Sequence, residues 1–176
     1  VKATLATEDR RFFEHFGVDV LGTARALATN LNAGETVQGG STLTQQLAKN
    51  LFLTNERTLR RKLQEVAMAL WLESKFTKKQ ILALYLNRVY LGENLYGFED
   101  AAQFYFAKPA RDLTLSEAAT LVGILPGPNA FNPVQNYDAA VAYRDRVLDR
   151  MVALGMVSQE EARQARRSRI EISPDA

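Results

Sequence analysis

The spacing of apolar residues along the chain predicts helices almost throughout. Apolar positions recur every three or four residues between turn signals, and no run shows the alternation of a half-buried strand. A first helix is predicted over residues 20–32, ended by Asn32 and Gly34. A flexible loop follows it, and Ser41 or Thr42 is expected to cap the next helix. The pattern therefore predicts a mostly α domain.

Capping signals predict where the later helices begin and end. Thr58 is expected to begin a helix whose apolar residues are spaced to face a core, namely Leu59, Leu63, Val66, Ala67 and Leu70. Capping-box spacing marks further starts at Thr77 with Gln80, Thr114 with Glu117, and Ser158 with Glu161. The last two helices are expected over about residues 138–154 and 160–167, separated by Gly155 in a C′ role. Prolines make residues 125–133 an expected irregular loop.

Composition limits the class of protein. With 176 residues, 47% of them hydrophobic, the chain is long enough for one globular domain with a buried core, residues 1–176. A net charge of +2 gives no general reason to expect a nucleic-acid partner. The absence of cysteine excludes disulfides and thiolate chemistry. Because a dense motif follows so soon after Val1, we expect an excised domain whose anchor lies outside this chain.

The first chemically dense segment is ATEDRRFFEHFGVD, residues 6–19. It places Glu8 beside Asp9 and contains His15, the single histidine of the sequence. A carboxylate there can act as a general base, and Asp9 is expected to pair with Arg10, Arg11 or His15.

The second dense segment, GGSTLTQQLAKNLFL, covers residues 39–53. On a helix, its leucines at 43, 47 and 51 fall on one buried side, and a polar stripe follows another side. The stripe consists of Thr42, Gln46, Lys49 and Asn50. It suits either a polar ligand or simple solvation of an amphipathic helix.

The third dense segment, RTLRRKLQE at residues 57–65, is basic and ends in Glu65. Surface ion pairs are one interpretation, but the cations precede the carboxylate, which is the poorer orientation for helix stability. Cations beside a carboxylate also suit a doubly charged leaving group such as pyrophosphate. The two carboxylates and these cations together indicate glycosyl transfer from a phosphorylated donor.

Four segments in order resemble the motifs of the peptidoglycan glycosyltransferase family, found in class A penicillin-binding proteins and monofunctional relatives. They read TEDRRFFEHFGVD, QGGSTLTQQLAKNLFL, RTLRRKLQE and KKQILALYLNRVYLG, and the resemblance runs from about residue 6 to 150. It implies a mostly helical, lysozyme-like fold with a large lobe and a small mobile jaw facing the membrane at about 17–40. Beyond the region of resemblance, residues at about 168–176 are expected to form a tail or linker. It also implies polymerisation of lipid II, with release of undecaprenyl pyrophosphate, at the extracytoplasmic face of the bacterial cytoplasmic membrane.

The resemblance also implies roles for single residues. Glu8 matches the base that deprotonates the acceptor 4-hydroxyl, and Glu65 matches a second glutamate near the leaving pyrophosphate. Basic positions that match phosphate-binding residues are Lys49, Arg57, Arg61 and Lys62. Polar positions that match the cleft lining are Thr42, Gln45, Gln46 and Asn50, and those that match the acceptor groove are Asn87 and Tyr90. Structural support is expected from Asp9, Phe12, His15 and Gly17.

Cofactor and partners are implied in the same way. A divalent metal, Mg or Mn, is expected near the pyrophosphate, with no ligands assignable. Lipid II, the growing glycan strand and the membrane surface are the expected partners. No SxxK motif occurs in the chain, so the parent is monofunctional or its transpeptidase module lies elsewhere. Other cell-wall synthesis proteins are also expected partners. The alternatives are a lysozyme-like glycan-cleaving enzyme and a non-catalytic glycan- or lipid-binding module.

Overall fold

The protein, as a computed structural model, is described at residues 1–19, 24, 41–52 and 58–176. Its α-helices are α1 Lys2–Glu8, α2 Leu43–Phe52, α3 Leu59–Lys75, α4 Lys78–Arg88, α5 Phe98–Phe106, α6 Leu115–Gly123, α7 Pro128–Phe131, α8 Tyr137–Ala153 and α9 Gln159–Arg167. A 3₁₀ helix spans Ala110–Asp112. In the described ranges no strand forms, and Tyr90 and Tyr96 make an isolated antiparallel bridge. The mostly α prediction is confirmed. Apart from residue 24, the predicted helix at 20–32 lies outside the described residues, and so does nearly all of the predicted jaw.

The predicted helix starts are confirmed. The Thr58 hydroxyl accepts the N–H of Arg61 at 3.1 Å. Complete capping boxes form at Thr77, Thr114 and Ser158, where each hydroxyl accepts the backbone N–H three positions on. At the end of α8, the N–H of Met156 bonds to the carbonyl of Met151, and Gly155 takes a positive φ of 69°. This is the Schellman ending expected of a C′ glycine.

The expectation of an irregular loop over residues 125–133 is wrong for Pro128–Phe131, which forms the short helix α7. Pro128 stands in its first turn, where a missing N–H costs no intrahelical hydrogen bond and the fixed φ already suits a helix.

The chain forms two compact units, one of Val1–Thr7 with Leu86–Ala176 and one of Glu8–Tyr85. The first unit has its core where α1, α6, α8 and α9 contribute small and branched side chains. The core residues are Ala3, Ala6, Ala119, Val122, Val147, Leu148, Met151, Ala162 and Ala165. The buried Arg144 guanidinium donates to the carbonyls of Arg166 and Ser168 at 2.9 and 2.7 Å, and so caps the C-terminus of α9. Residues 168–176 form no helix, but Ile170 is buried in this unit.

In the second unit, α2 packs on α3, and the side of α3 that is buried differs from the prediction. The predicted core positions Leu59, Leu63 and Leu70 are 77%, 62% and 41% exposed. Ala67 is exposed too, and Val66 is half-buried. The buried side instead consists of Glu65, Ala69, Leu72 and Glu73. These positions also recur at helical spacing, and their carboxylates have partners in the fold, so periodicity alone could not choose between the two sides.

We predict unequal costs for two leucine truncations in α3. Leu72→Ala should lower the free energy of unfolding by about 2–5 kcal/mol, because it removes a fully buried side chain. Leu63→Ala should cost less than about 1 kcal/mol, because its side chain is mainly exposed. Urea unfolding of both variants, followed by circular dichroism, measures the difference. Equal losses would contradict the burial of α3 described here.

Candidate active site

The start of α2 is capped by Thr42 and Gln45. The Thr42 Oγ1 accepts the Gln45 N–H at 3.1 Å, and the Gln45 Oε1 accepts the Thr42 N–H at 2.7 Å. This reciprocal arrangement satisfies N–H groups that a helix start leaves without intrahelical partners. Of Ser41 and Thr42, the two residues expected to cap this helix, Thr42 is the one that does so. The side chains of Thr42 and Gln45 are buried at the start of the helix. The substrate contact expected of them stays a prediction.

Asp9 binds the same helix start from the preceding segment. Its Oδ2 accepts the backbone N–H of Leu43 at 3.0 Å and faces His15 Nε2 at 2.6 Å. The side chains of Asp9 and His15 are each only 4% exposed. A carboxylate is favourable at this end of a helix, where N–H groups and the macrodipole are both positive. Asp9 therefore fastens the segment that follows α1 to the N-terminus of α2.

Of the partners expected for Asp9, the structure selects His15. Arg11 instead lies 3.5 Å from both Glu14 and Asp19, and Arg10 is exposed. The His15 Nδ1 accepts the backbone N–H of Gly17 at 3.1 Å. A ring nitrogen that accepts a hydrogen bond carries no proton, so the proton of the neutral ring is on Nε2 and is donated to Asp9.

Gly17 must be glycine for two reasons. Its φ is +88°, and a Cβ at this position would lie 3.1 Å from the backbone carbonyl of Ala69. Its carbonyl accepts the Thr42 hydroxyl at 2.7 Å. The turn of residues 15–17 therefore packs closely against α3 and is hydrogen-bonded to the cap of α2.

Glu8, the last residue of α1, is half-buried and is oriented by an amide. Its Oε2 accepts a hydrogen bond from Gln46 Nε2 at 3.2 Å, and Gln46 Oε1 accepts one from the Tyr85 hydroxyl at 3.4 Å. Burial first, and then the Glu8 carboxylate, raises the pKa of Tyr85 far above its ordinary value. Tyr85 itself is buried.

Glu65 lies on the buried side of α3, beside the Lys62 ammonium. Its Oε1 accepts a hydrogen bond from Lys62 Nζ at 2.9 Å, and the same ammonium donates to the Ser41 hydroxyl at 2.7 Å. The Lys62 side chain is 47% exposed, whereas that of Glu65 is 9% exposed. Arg61 is half-buried in the same turn. Arg57 lies outside the described residues.

The remaining expected residues occupy different environments. On α2, Lys49 is half-buried and Asn50 is exposed. Phe12 is fully buried, whereas Phe13 is 57% exposed and its ring makes a T-shaped contact with that of Phe12. Phe12 therefore belongs to the buried interior of the second unit and not to its surface.

Asn87 and Tyr90 belong to the first unit, whereas Glu8 belongs to the second. Asn87 is exposed, and a Cβ added at Gly97 would lie 2.6 Å from its backbone carbonyl oxygen. The Tyr90 hydroxyl donates to Asn129 Oδ1 at 2.6 Å, and its ring lies 5.0 Å from that of Tyr96. Their role in an acceptor groove stays a prediction.

The sequence interpretation missed Thr44, Glu73 and Lys78. Glu73 Oε1 accepts hydrogen bonds from Lys78 Nζ at 2.6 Å and from the Thr44 hydroxyl at 2.9 Å. Lys78 Nζ also lies 3.3 Å from His15 Nδ1. Glu73 stands eight residues after Glu65, on the same side of the helix, and this spacing was the available signal.

A family model described as Transglycosylase matches residues 1–152. The chain belongs to the transglycosylase family. It is 50% identical to penicillin-binding protein 1A of Escherichia coli over 94% of this chain, and 48% identical to penicillin-binding protein 1B of Haemophilus influenzae over 91%. It spans only 20% and 21% of those two relatives.

A solved structure supports the same assignment for the transglycosylase domain. The crystal structure of penicillin-binding protein 1A from Haemophilus influenzae superposes with a TM-score of 0.54 at 31% identity, over 74% of this chain and 16% of that chain. The family resemblance seen in the motifs is confirmed, together with the enzyme class and the mostly α, lysozyme-like fold class.

Neither a metal site nor a membrane span is found in the described part of this transglycosylase domain. No group of three or more histidine, aspartate or glutamate side chains there is placed to hold a metal ion. No described helix is long and apolar enough to cross a membrane. The expected divalent metal therefore has no assigned ligands, and no step proposed below depends on it.

We predict that Tyr85 stays un-ionised in the folded transglycosylase domain about one pH unit above the ordinary tyrosine pKa of about 10. At that pH, Tyr85→Phe should leave the ultraviolet absorbance of tyrosinate unchanged, because the phenol that it removes is not ionised there. Because folding raises the pKa of Tyr85, its contribution to stability is present below the unfolded value and is lost as pH rises above it. A lower tyrosinate absorbance in Tyr85→Phe than in the wild type at that pH would contradict the prediction.

Proposed function

We propose that this domain is a peptidoglycan glycosyltransferase that polymerises lipid II into glycan strands. One observation carries the proposal: both candidate carboxylates are bound to the same short segment, residues 41–46. Gln46 donates to Glu8, and Ser41 is joined to Glu65 through Lys62. Two carboxylates held by one element, one of them beside cations, suit glycosyl transfer from a pyrophosphate donor.

Glu8 is the proposed base. The Gln46 amide donates to the Glu8 carboxylate and so favours its charged form, which is the form that can accept a proton. In the step, the proton of the acceptor 4-hydroxyl goes to Glu8 while its oxygen bonds to C1 of the donor sugar. The C1–O bond to the pyrophosphate breaks, and its electron pair leaves with the pyrophosphate.

Lys62 and Arg61 are the proposed cations on the leaving-group side, together with Lys49. The Lys62 ammonium uses two of its three donors on Ser41 and Glu65, and its side chain stays half exposed. Positive charge fixed before the reaction stabilises the charge that develops on a departing pyrophosphate. Glu65 holds this cation in place from the buried side of α3.

The setting is part of the same proposal. The domain acts at the extracytoplasmic face of the cytoplasmic membrane, on lipid II and the growing strand, with a divalent metal whose ligands we do not name. A transpeptidase module and other cell-wall synthesis proteins are its proposed partners. The similarity to penicillin-binding proteins 1A and 1B supports this setting.

One assay separates this function from its alternatives. Offered purified lipid II, a transferase makes polymer and releases undecaprenyl pyrophosphate. A glycan-cleaving enzyme instead shortens existing strands, and a binding module does neither. Polymer length by gel electrophoresis and released pyrophosphate by chromatography give the result, and absence of both products would end the proposal.

Glu8→Gln should reduce the polymerisation rate by about 10² to 10⁴-fold, because it keeps the side-chain shape and the contact with Gln46 but removes the base. The matched control is Glu14→Gln, at an exposed carboxylate paired with Arg11. The control should stay within about twofold of the wild-type rate, since exposed ion pairs contribute little. Residual activity above about a tenth in Glu8→Gln would overturn its assignment as the base.

Arg61→Gln and Glu65→Gln test pyrophosphate departure against a purely structural ion-pair cluster. A cation that stabilises the leaving group should contribute about 2–4 kcal/mol to the transition state, which is about 30- to 1,000-fold in rate. Arg60→Gln, at an exposed cation of the same turn, is the control. Polymerisation rates and thermal melting are measured together. If both test variants melt early and keep their rate per folded molecule, the leaving-group assignment is wrong.

A further inference from the structure

A buried ion pair, formed by Lys78 and Glu73, lies on the side of the His15 ring that faces away from Asp9. Lys78 Nζ lies 2.6 Å from Glu73 Oε1, 3.3 Å from His15 Nδ1 and 4.6 Å from the centre of the Phe12 ring. The Glu73 side chain is 3% exposed and that of Lys78 is 20% exposed. None of the steps proposed above uses this pair. Burying a charge is costly, and here each of the two charges compensates the other.

The charges around His15 decide its protonation. Asp9 lies 2.6 Å from Nε2, and Glu73 lies 4.0 Å from Nδ1, so carboxylates face the ring on both sides. With Lys78 in place, Glu73 is paired, and Nδ1 faces two donors, the Lys78 ammonium and the Gly17 N–H. Both donors require a bare Nδ1. Without the ammonium, an unpaired buried carboxylate would face that nitrogen and favour its protonation.

The state of this ring reaches the proposed active site through Gly17. A protonated Nδ1 cannot accept the Gly17 N–H, so the turn of residues 15–17 would have to shift. The Gly17 carbonyl holds the Thr42 hydroxyl, and Thr42 caps α2. Because α2 carries Gln46, the shift would move the amide that orients Glu8.

We propose that Lys78 and Glu73 are positioning residues for Glu8: their ion pair keeps His15 neutral with a bare Nδ1, and the neutral ring fixes the start of α2. The activity part of this inference rests on the proposed function. The protonation part does not, because it is read directly from the ring.

The single histidine makes the ring state directly measurable. Nitrogen-15 NMR of the imidazole at neutral pH should show a bare Nδ1 and a protonated Nε2 in the wild type. Lys78→Met should protonate Nδ1 as well, and adding Glu73→Gln to that variant should restore the bare nitrogen. Lys79→Met, at the exposed neighbouring lysine, is the matched control and should leave the spectrum unchanged.

Kinetics with lipid II test the consequence for Glu8. Lys78→Met should lower kcat by about 10- to 100-fold with KM nearly unchanged, because a small misplacement of a catalytic group affects the transition state most. Lys79→Met should keep the wild-type kcat, and the double variant should recover part of the loss. If Lys78→Met does not fold, Lys78→Gln removes the same charge with a smaller change in polarity and should give the same ring state.

The outcomes separate this inference from the proposed function. A bare Nδ1 in Lys78→Met, or a protonated Nδ1 with undiminished kcat, would overturn it. If the wild type makes no polymer, the proposed function fails, and the His15 resonances of the variants then decide the inference alone.

Discussion

The second unit depends on the contacts that the Asp9 carboxylate makes. It is nearly inaccessible to water and accepts hydrogen bonds from His15 and from the first N–H of α2. A buried charge is tolerated only where its partners are in place, and removing one partner typically costs about 3–5 kcal/mol. The segment after α1 therefore has one favourable position on α2, and Glu8, the preceding residue, is positioned with it.

Helix α2, with the residue before it, contacts both halves of the candidate site, the Glu8 side and the Glu65 side. Its start is bound by Asp9, by the Gly17 carbonyl and by its own capping box. One turn further along, Gln46 orients Glu8, and just before the helix Ser41 meets Lys62. These contacts attach both carboxylates to the start of α2. Such preorganisation is what electrostatic catalysis of a charged leaving group requires.

Helix α3 shows how periodicity can mislead. Its leucines recur at helical spacing, yet Leu59, Leu63 and Leu70 are exposed and Glu65 and Glu73 are buried. Periodicity reports that a helix has distinct sides, but it does not report which side meets the rest of the chain. Here the buried carboxylates are compensated by Lys62, Lys78 and Thr44, which come from three different places in the sequence. That compensation exists only in the folded unit.

The sequence by itself determined the features that depend on local geometry. Capping boxes join residues three positions apart, so Thr77, Thr114 and Ser158 could be recognised as helix starts, and the order of the motifs indicated the family. Only the tertiary structure decided that Asp9 pairs with His15 rather than with an adjacent arginine, which side of α3 is buried, and that Lys78 reaches Glu73 and His15. The physical reason is that these choices compare desolvation with pairing among residues up to 63 positions apart, and no local spacing records that comparison.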